Sequence, residues 1–199
     1  MSRMPPRVLI ELRPSRIDAA GIGVFSVTEI FKGERVASGI GEEDYKHLVP
    51  WEVFDHYDPT IQRKVVDFCI GTPEGFLPPK DLDFNSLSIE WYFNHSCDGD
   101  LGFDDQGDFV ARRRIARGQE LAYDYGLAES NPAFRMSCNC GKSECRKVVT
   151  GNDWKDDDFR RRNIVYMLPR LRLSPARVGA PVASLFKPSA KRLGTLEPR

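Results

Sequence analysis

The chain has 199 residues, 41% of them hydrophobic and 29% charged, and its formal net charge is zero. These figures fit a soluble globular protein with one core of useful size. No apolar run approaches the ~20 residues needed to cross a bilayer, which excludes a membrane-spanning chain. The N-terminus also lacks the apolar region of a signal peptide. We therefore expect an intracellular protein with no membrane contact.

The neutral total hides an uneven distribution of charge. Residues 170–199 contain seven Lys or Arg and one Glu, whereas residues 1–169 contain 22 basic and 28 acidic side chains. An acidic body suits a cationic substrate. The tail is rich in proline, alanine, serine and basic residues, and this composition predicts disorder for residues 170–199.

The first part of the chain predicts short strands joined by turns. Val8–Leu12 is a strand candidate, and a second strand follows the GxG element Gly21-Ile22-Gly23. A third strand covers Arg35–Ile40, so this region predicts β-hairpins rather than βαβ units. The GxG element has two interpretations, a simple turn or a backbone left bare so that a ligand can lie against it.

The middle of the chain predicts a short helix and another strand. Proline cannot occupy a helix interior, so we expect a helix that starts near Pro50. Its inward-facing side chains would be Trp51, Phe54 and Tyr57. The apolar run Val65–Ile70 predicts a buried strand.

The last part of the folded chain predicts a strand at Leu121–Tyr125 and a C-terminal helical region at residues 153–168. The helix itself would cover Asp156–Leu168 and end at Pro169. Strands do not alternate regularly with long helices, which argues against a doubly wound fold. We predict a mostly β fold with short helices.

Four of the five cysteines have the spacing of a metal site. Cys138, Cys140 and Cys145 form a CxCx4C array, and Cys97 is the natural fourth thiolate. Close-spaced cysteines in a reducing compartment are more often metal ligands than disulfides, and a structural zinc ion takes four ligands. The alternative is a set of unrelated surface cysteines. Cys69 lies in an apolar run and predicts a small buried hydrophobe.

Four motifs, in this order, resemble those of the SET-domain protein lysine methyltransferases. The GxG element within Gly21–Phe25 resembles the N-terminal cofactor motif of that family. The segments Asn94–Cys97 (NHSC) and Glu120–Tyr125 (ELAYDY) resemble its two central motifs, and Cys138–Cys145 resembles its post-SET segment. The resemblance covers roughly residues 7 to 150.

The resemblance implies a fold of several small sheets in which the NHSC segment threads beneath a neighbouring loop in a knot-like arrangement. It also divides the chain. The expected units are a SET domain at 7–128 with a variable insert at about 41–82, a post-SET zinc segment at 134–150, the C-terminal helix at 153–168 and the basic tail at 170–199.

The resemblance further implies S-adenosylmethionine as the methyl donor and one structural zinc ion. The catalytic positions are Tyr125 and Tyr123, of which Tyr123 tunes the number of methyl groups added. The zinc ligands are Cys97, Cys138, Cys140 and Cys145. The residues expected to line the cofactor pocket are Gly21, Ile22, Gly23, Asn94, His95 and Tyr125.

Methyl transfer to an amine needs alignment more than a strong base, and a desolvated channel helps the lysine to lose its proton. Tyrosine hydroxyls can orient the nitrogen while their rings exclude water. Taken alone, Tyr123 and Tyr125 would more simply be core aromatics. The chain also departs from the family pattern: Trp91 stands where an arginine is frequent, and Ile22 where a tryptophan is frequent. A further family tyrosine has no secure match, and Phe68 is one candidate position.

We therefore predict an S-adenosylmethionine-dependent lysine methyltransferase that acts on a histone or another lysine-bearing protein. The alternative is a catalytically silent SET module that binds a basic peptide or nucleic acid. The basic tail could add a weak nucleic-acid contact. A tyrosine rather than a phenylalanine at position 123 favours monomethyl-lysine as the product.

Overall fold

The computed structural model describes residues 8–18 and 21–173, which form short strands, short helices and turns. The strands are β1 (Ile10–Pro14), β2 (Ile22–Ser26), β3 (Arg35–Ala37), β4 (Val49–Pro50), β5 (Ile70–Gly71), β6 (Gly75–Leu77), β7 (Asn94–His95), β8 (Leu101–Phe103), β9 (Phe109–Ala111), β10 (Glu120–Tyr123), β11 (Arg135–Ser137) and β12 (Val148–Thr150). The α-helices are α1 (Trp51–Phe54), α2 (Pro59–Phe68), α3 (Asp157–Asn163) and α4 (Pro169–Leu173). The 3-10 turns cover Glu42–His47, Lys80–Leu82, Ile89–Tyr92, Tyr125–Leu127, Asp153–Lys155 and Ile164–Tyr166.

The strands form one larger sheet and two small ones, so the prediction of a mostly β fold with several small sheets is confirmed. The larger sheet has the order β1-β2-β10-β8-β9-β3, and β7 pairs with β10 beside this path. A second sheet has the order β4-β6-β5, and β11 pairs with β12 in the third. Among the described residues, no helix is long and apolar enough to cross a membrane. The knot-like threading stays a prediction.

A cluster of aromatic side chains packs against β10. Phe103 is completely buried, and its ring centroid lies 4.6 Å from that of Phe109 and 5.7 Å from that of Tyr123. The Phe93 ring joins this cluster by packing against Phe109, with 4.9 Å between the two ring centroids. Burial of each such side chain contributes about 2–3 kcal/mol, and the ring geometry adds to it. The cluster therefore fixes the strand that carries Tyr123.

The prediction of a short helix beginning near Pro50 is confirmed by α1. Three aromatic rings surround the completely buried Phe76 at centroid distances of 5.7, 6.1 and 6.4 Å, and these belong to Trp51, Phe54 and Tyr57. The Trp51 indole N–H also donates to the Thr72 carbonyl at 2.9 Å. This second small core holds the insert between residues 41 and 82 in place.

The prediction of a strand at Val65–Ile70 is wrong, because most of that segment is the end of α2. Asp58 caps the helix by accepting a hydrogen bond from the Thr60 amide at 2.8 Å, and Pro59 occupies the first turn. Both are favourable helix-start signals that offset the β preference of the two valines. Val65 is buried while Val66 is 52% exposed, as expected for one face of a helix.

The C-terminal region is not one helix from 153 to 168. It is divided into a 3-10 turn, α3, a second 3-10 turn and then α4, which Pro169 begins rather than terminates. A proline is well suited to the first turn of a helix. Residues 170–173 belong to the fold rather than to a tail, since Leu171 is buried and the Arg172 guanidinium donates to the carbonyls of Phe103 and Asp104 at 2.6 and 2.9 Å. The rest of the predicted basic tail, 174–199, lies outside the described residues.

Candidate active site

Strand β10 brings the predicted motifs together. It pairs in parallel with β7, so that Ala122 faces Asn94 and Tyr123 faces His95. On its other side it pairs antiparallel with β2, where Leu121 faces Val24. The GxG element, the NHSC segment and Tyr123 therefore meet along one strand, although they are far apart in the sequence, and Tyr125 begins the 3-10 turn that follows this strand.

Asn94 is the meeting point of three segments. Its Nδ2 lies 3.0 Å from the Ile22 carbonyl oxygen, 3.1 Å from Ser15 Oγ and 3.1 Å from Glu120 Oε1. Glu120 also accepts from the Ser15 hydroxyl at 2.7 Å and from the Arg16 amide at 2.6 Å. Glu120 was not among the predicted site residues and entered only as the first residue of the ELAYDY segment. Its charge at the start of an otherwise apolar buried strand was the available signal.

Carboxylates approach the backbone of both glycines of the GxG element closely. A Cβ at Gly23 would lie 2.2 Å from Glu120 Oε1, and a Cβ at Gly21 would lie 2.6 Å from Asp18 Oδ2. Neither glycine has a positive φ, so the need is for space rather than for an unusual backbone conformation. Between them, the Ile22 side chain is 51% exposed.

His95 connects the tyrosine segment to a cysteine. Its Nδ1 accepts a hydrogen bond from the Tyr125 amide at 3.1 Å, and its Nε2 lies 3.3 Å from Cys97 Sγ. Burial lowers the pKa of His95 to about 4, although nearby Asp124 acts in the opposite direction. The imidazole is therefore neutral at physiological pH, and its single proton is on Nε2, which faces the sulfur. A neutral imidazole held in this way is suited to fixing the backbone at Tyr125.

The four predicted metal ligands lie together. The Sγ atoms of Cys97, Cys138, Cys140 and Cys145 are all within 4.8 Å of one another, and the Cys97–Cys138 separation is 3.7 Å. In a tetrahedral site with Zn–S bonds of ~2.3 Å, the sulfurs are about 3.8 Å apart. The donor set therefore fits a metal ion of the zinc type. Cys69 is not part of the cluster; it is half-buried, and burial raises the pKa of its thiol to about 12.

An ion pair ties the cysteine cluster to the tyrosine segment. Arg146 follows Cys145 directly, and its amide lies 3.4 Å from Cys97 Sγ. Its guanidinium donates two hydrogen bonds of 2.6 Å to the carboxylate of Asp124, whose side chain is only 3% exposed. Asp124 lies between Tyr123 and Tyr125 in the sequence. The Arg146–Asp124 ion pair therefore fixes the backbone from which both tyrosine side chains extend.

Tyr123 and Tyr125 face a narrow pocket of about 90 Å³. Their ring centroids are 4.9 Å apart. The Tyr125 hydroxyl donates to the Phe93 carbonyl at 3.1 Å, whereas the Tyr123 hydroxyl makes no hydrogen bond within the described part of the chain. Burial raises the pKa of both phenols well above the ordinary value, so both remain protonated at neutral pH.

Several residues that the sequence analysis did not assign to the site also line this pocket. They are Gly39, Ile40, Val66, Asp67, Cys69, Ile70, Glu90, Phe93, Phe109, Glu129 and Phe134. Trp91 and Phe68, which the sequence analysis noted as departures from the family pattern, line it too. Most of these side chains come from the insert and from the loop after Tyr125, which carry no recognisable motif.

The Arg146–Asp124 pair gives a test of this geometry. Replacing Arg146 with methionine leaves a buried carboxylate unpaired, and we expect the free energy of unfolding to fall by about 3 kcal/mol. Arg161→Met is the matched control, because Arg161 and Asp158 are both about 70% exposed and such pairs contribute about 0–1 kcal/mol. Urea denaturation of the three proteins measures both changes. Equal losses in the two variants would contradict the structural importance of the Asp124 pair.

Comparison with known proteins agrees with the motifs. Residues 21–126 match the family model described as SET domain. The chain is 29% identical over 147 residues to "Histone-lysine N-methyltransferase, H3 lysine-4 specific" of Cryptococcus neoformans var. neoformans serotype D (strain B-3501A), covering 68% of this chain and 9% of that protein. It is 30% identical over 158 residues to "Probable histone-lysine N-methyltransferase set-23" of Caenorhabditis elegans, covering 72% and 62%. The chain thus spans less than two thirds of either relative.

Among solved structures, one described as "crystal structure of KRYPTONITE in complex with mCHG DNA and SAH" is similar at 24% identity and a TM-score of 0.46, covering 72% of this chain and 30% of that chain. The family assignment rests on the sequence match, which includes just over half of the chain and contains β2, β7 and β10. The chain belongs to the SET-domain family.

Proposed function

We propose that the protein transfers a methyl group from S-adenosylmethionine to the side-chain nitrogen of a lysine in another protein. The observation that carries this proposal is the pair of buried, neutral tyrosines that face one narrow aromatic pocket and lie next to His95. The two relatives described above are both named as histone-lysine N-methyltransferases. A histone is therefore the first substrate to test, and the acidic body of the chain suits a basic substrate.

The residues around Asn94 fit the proposed methyl donor. Asn94 donates through Nδ2, and its Oδ1 accepts no hydrogen bond from the described residues, so the oxygen is available to an ammonium group of a ligand. The half-exposed Ile22 side chain offers an apolar surface next to it. The set proposed to hold the donor is Gly21, Ile22, Gly23, Asn94, His95 and Tyr125. When bound, S-adenosylmethionine would supply a methyl group activated by a positive sulfonium.

The tyrosines then have different tasks. Tyr125 is held by its hydrogen bond to the Phe93 carbonyl and by the contact of its amide with His95. We propose that its oxygen fixes the position of the lysine nitrogen, and that the aromatic rings around it exclude water. The Tyr123 hydroxyl is available to hold a water molecule or the nitrogen itself, and this would restrict rotation of a methylated amine.

A zinc ion is proposed for the four-cysteine cluster. It would join the NHSC segment, through Cys97, to the C-terminal segment that carries Arg146. The Arg146 amide and the His95 ring both point at Cys97 Sγ, as outer-shell partners of a bound thiolate do. The ion would therefore stabilise both sides of the pocket without contacting the substrate.

The proposed activity is tested by incubating the full chain with isotopically labelled S-adenosylmethionine, separate histones and a cell extract. We expect labelled lysine in at least one protein. Tyr125→Phe should bind the donor with similar affinity while its turnover falls about 100-fold, since a misplaced nucleophile loses much of the benefit of alignment. Tyr166→Phe, a half-buried tyrosine away from the pocket, is the matched control. Binding without turnover in the parent protein would instead support a catalytically silent module.

Metal analysis tests the zinc proposal. We expect about one zinc ion per chain in the purified protein, and we expect Cys140→Ser to lose it and to bind S-adenosylmethionine more weakly. The Cys69→Ser variant should retain the zinc ion, because Cys69 lies outside the four-cysteine cluster. An active parent protein that contains no zinc would rule this site out.

The number of methyl groups added tests the role of Tyr123. We expect mainly monomethyl-lysine from the parent protein. Tyr123→Phe removes the available hydroxyl and should move the products toward dimethyl- and trimethyl-lysine without abolishing the first transfer. Mass spectrometry of the methylated peptide distinguishes these products, and trimethyl-lysine as the main product of the parent would show that Tyr123 does not have this role.

A further inference from the structure

Glu129 is a buried carboxylate in the wall of the tyrosine pocket. Its backbone amide donates to the Tyr125 carbonyl at 2.8 Å, which places it one turn beyond the proposed catalytic tyrosine. The residue is only 6% exposed, and its side chain lines the same pocket as Tyr123 and Tyr125. Its charge also contributes to the raised pKa of Tyr123, so the two groups are electrostatically coupled.

The carboxylate of Glu129 is held in a fixed orientation. The Gly71 amide donates to Oε2 at 2.7 Å, and the Asn131 amide donates to Oε1 at 2.7 Å. A Cβ at Gly71 would lie 2.7 Å from Oε1, so glycine is needed to admit the carboxylate. The Gly71 carbonyl in turn accepts from the Ser130 amide at 3.0 Å. The side chain therefore cannot turn away from the pocket without breaking both bonds.

None of the described residues that line the pocket is a cation that could balance the charge of Glu129. Burial raises its pKa to about 7, although the backbone amides of Gly71, Asn131 and Ser130 act against this rise. The titratable side chains that face the same pocket are those of Tyr123, Tyr125, Cys69, Asp67 and Glu90, and none of the described lining residues is basic. A buried carboxylate without a cation is costly, and a cationic guest would relieve that cost.

We propose that Glu129 is a further catalytic residue, the base that accepts a proton from the ammonium group of the target lysine. This inference rests on the proposed lysine methyltransferase function. The pocket otherwise offers two buried neutral phenols and the neutral thiol of the half-buried Cys69, and none of these groups accepts a proton readily. A lysine ammonium that enters this pocket would have one buried anion to meet.

Proton transfer to Glu129 precedes methyl transfer. One N–H bond of the lysine ammonium breaks and an O–H bond forms on Glu129, which leaves a neutral amine and a neutral carboxylic acid. The nitrogen lone pair then forms the N–C bond to the methyl group, and the C–S bond breaks with its electron pair remaining on sulfur. The product is a methylammonium, and Glu129 returns its proton to solvent. A base with a pKa near the working pH is the most effective for such a transfer.

A structural role is the competing explanation, because Glu129 also joins the insert to the loop after Tyr125. Glutamine has one acceptor oxygen in place of two, so Glu129→Gln must lose one of the two amide bonds whichever role is correct. A structural defect of that kind does not depend on pH in the neutral range. A missing base does, because the substrate lysine loses its own proton as the pH approaches its free pKa of ~10.4. The pH profile therefore separates the two roles.

The experiment measures single-turnover rates between pH 6 and 9.5, at saturating S-adenosylmethionine, with the peptide substrate identified by the labelling assay. The parent rate should fall below about pH 7, where Glu129 is protonated and cannot accept a proton, and should be nearly level above it. Glu129→Gln should be about 100-fold slower at pH 7, and its rate should rise about tenfold per pH unit. The gap between the two proteins should therefore close as the pH increases.

Two controls sharpen the result. Glu74→Gln changes an exposed carboxylate in the turn between β5 and β6, next to the strand that carries Gly71, and should keep the parent profile. A peptide carrying S-aminoethylcysteine in place of lysine has a less basic amine, so the deficit of Glu129→Gln should shrink with this substrate. A deficit that is equal at every pH and on both substrates would assign Glu129 a positioning role only and overturn the proposal.

If Glu129→Gln does not fold, the pH profile of the parent protein alone still tests the role of Glu129. A parent rate that rises tenfold per pH unit from pH 7 to 9.5 would show that the amine loses its proton without a base in the pocket. That outcome overturns the role of Glu129 while leaving the methyltransferase function intact. A parent protein that transfers no methyl group to any substrate overturns both.

Discussion

The buried ion pair between Asp124 and Arg146 is the interaction on which the site depends. Asp124 lies between the two pocket tyrosines, and Arg146 lies next to the last cysteine of the cluster. Together with the cysteine cluster and His95, this pair joins the strand that carries Tyr123 to the segment that carries Arg146. A charge that is nearly completely buried also requires its partner, so the two segments have one favourable arrangement rather than several. The position of Tyr125 follows from that arrangement.

The pocket gains its character from the side chains that surround the two tyrosines rather than from the tyrosines alone. Phe93 and Phe109 supply apolar walls, and they belong to the same aromatic cluster that supports β10. The side chains that line the pocket and those that pack against β10 therefore belong to one cluster. Because close-packed interiors transmit small displacements, a change in that cluster is expected to affect the alignment of the reacting groups.

Much of the site could be predicted from sequence, because its chemistry is concentrated in short motifs. The spacing of Cys138, Cys140 and Cys145 indicated a shared metal, and the structure places Cys97 with them. Glu129 could not be found in this way. Its importance comes from burial and from the Gly71 amide, 58 positions earlier in the chain, and neither leaves a local pattern.

Part of the fold could also be predicted from the sequence. The inward-facing positions of Trp51, Phe54 and Tyr57 followed from their spacing in one short segment, whereas their common partner Phe76 was not predicted. The region of α2 was misassigned because two adjacent valines favour a strand, whereas the Asp58–Pro59 start signal outweighs that local preference. The C-terminal elements were misplaced because the interactions of Arg172 are with residues 103 to 105, which a local pattern does not reveal.

The pairing of β10 with both β2 and β7 has a consequence for the order in which the molecule folds. Leu121 must find Val24, 97 residues earlier, while Ala122 pairs in parallel with Asn94. Contacts so distant along the chain are slow to form, because the entropy of closing each loop is lost before the contact stabilises anything. During synthesis, neither the pairing of β2 with β10 nor the pairing of β7 with β10 can form until β10 has emerged from the ribosome. The cysteine-bearing segment follows only after that, so the newly made chain passes through a period in which its thiols are exposed and its pocket does not yet exist.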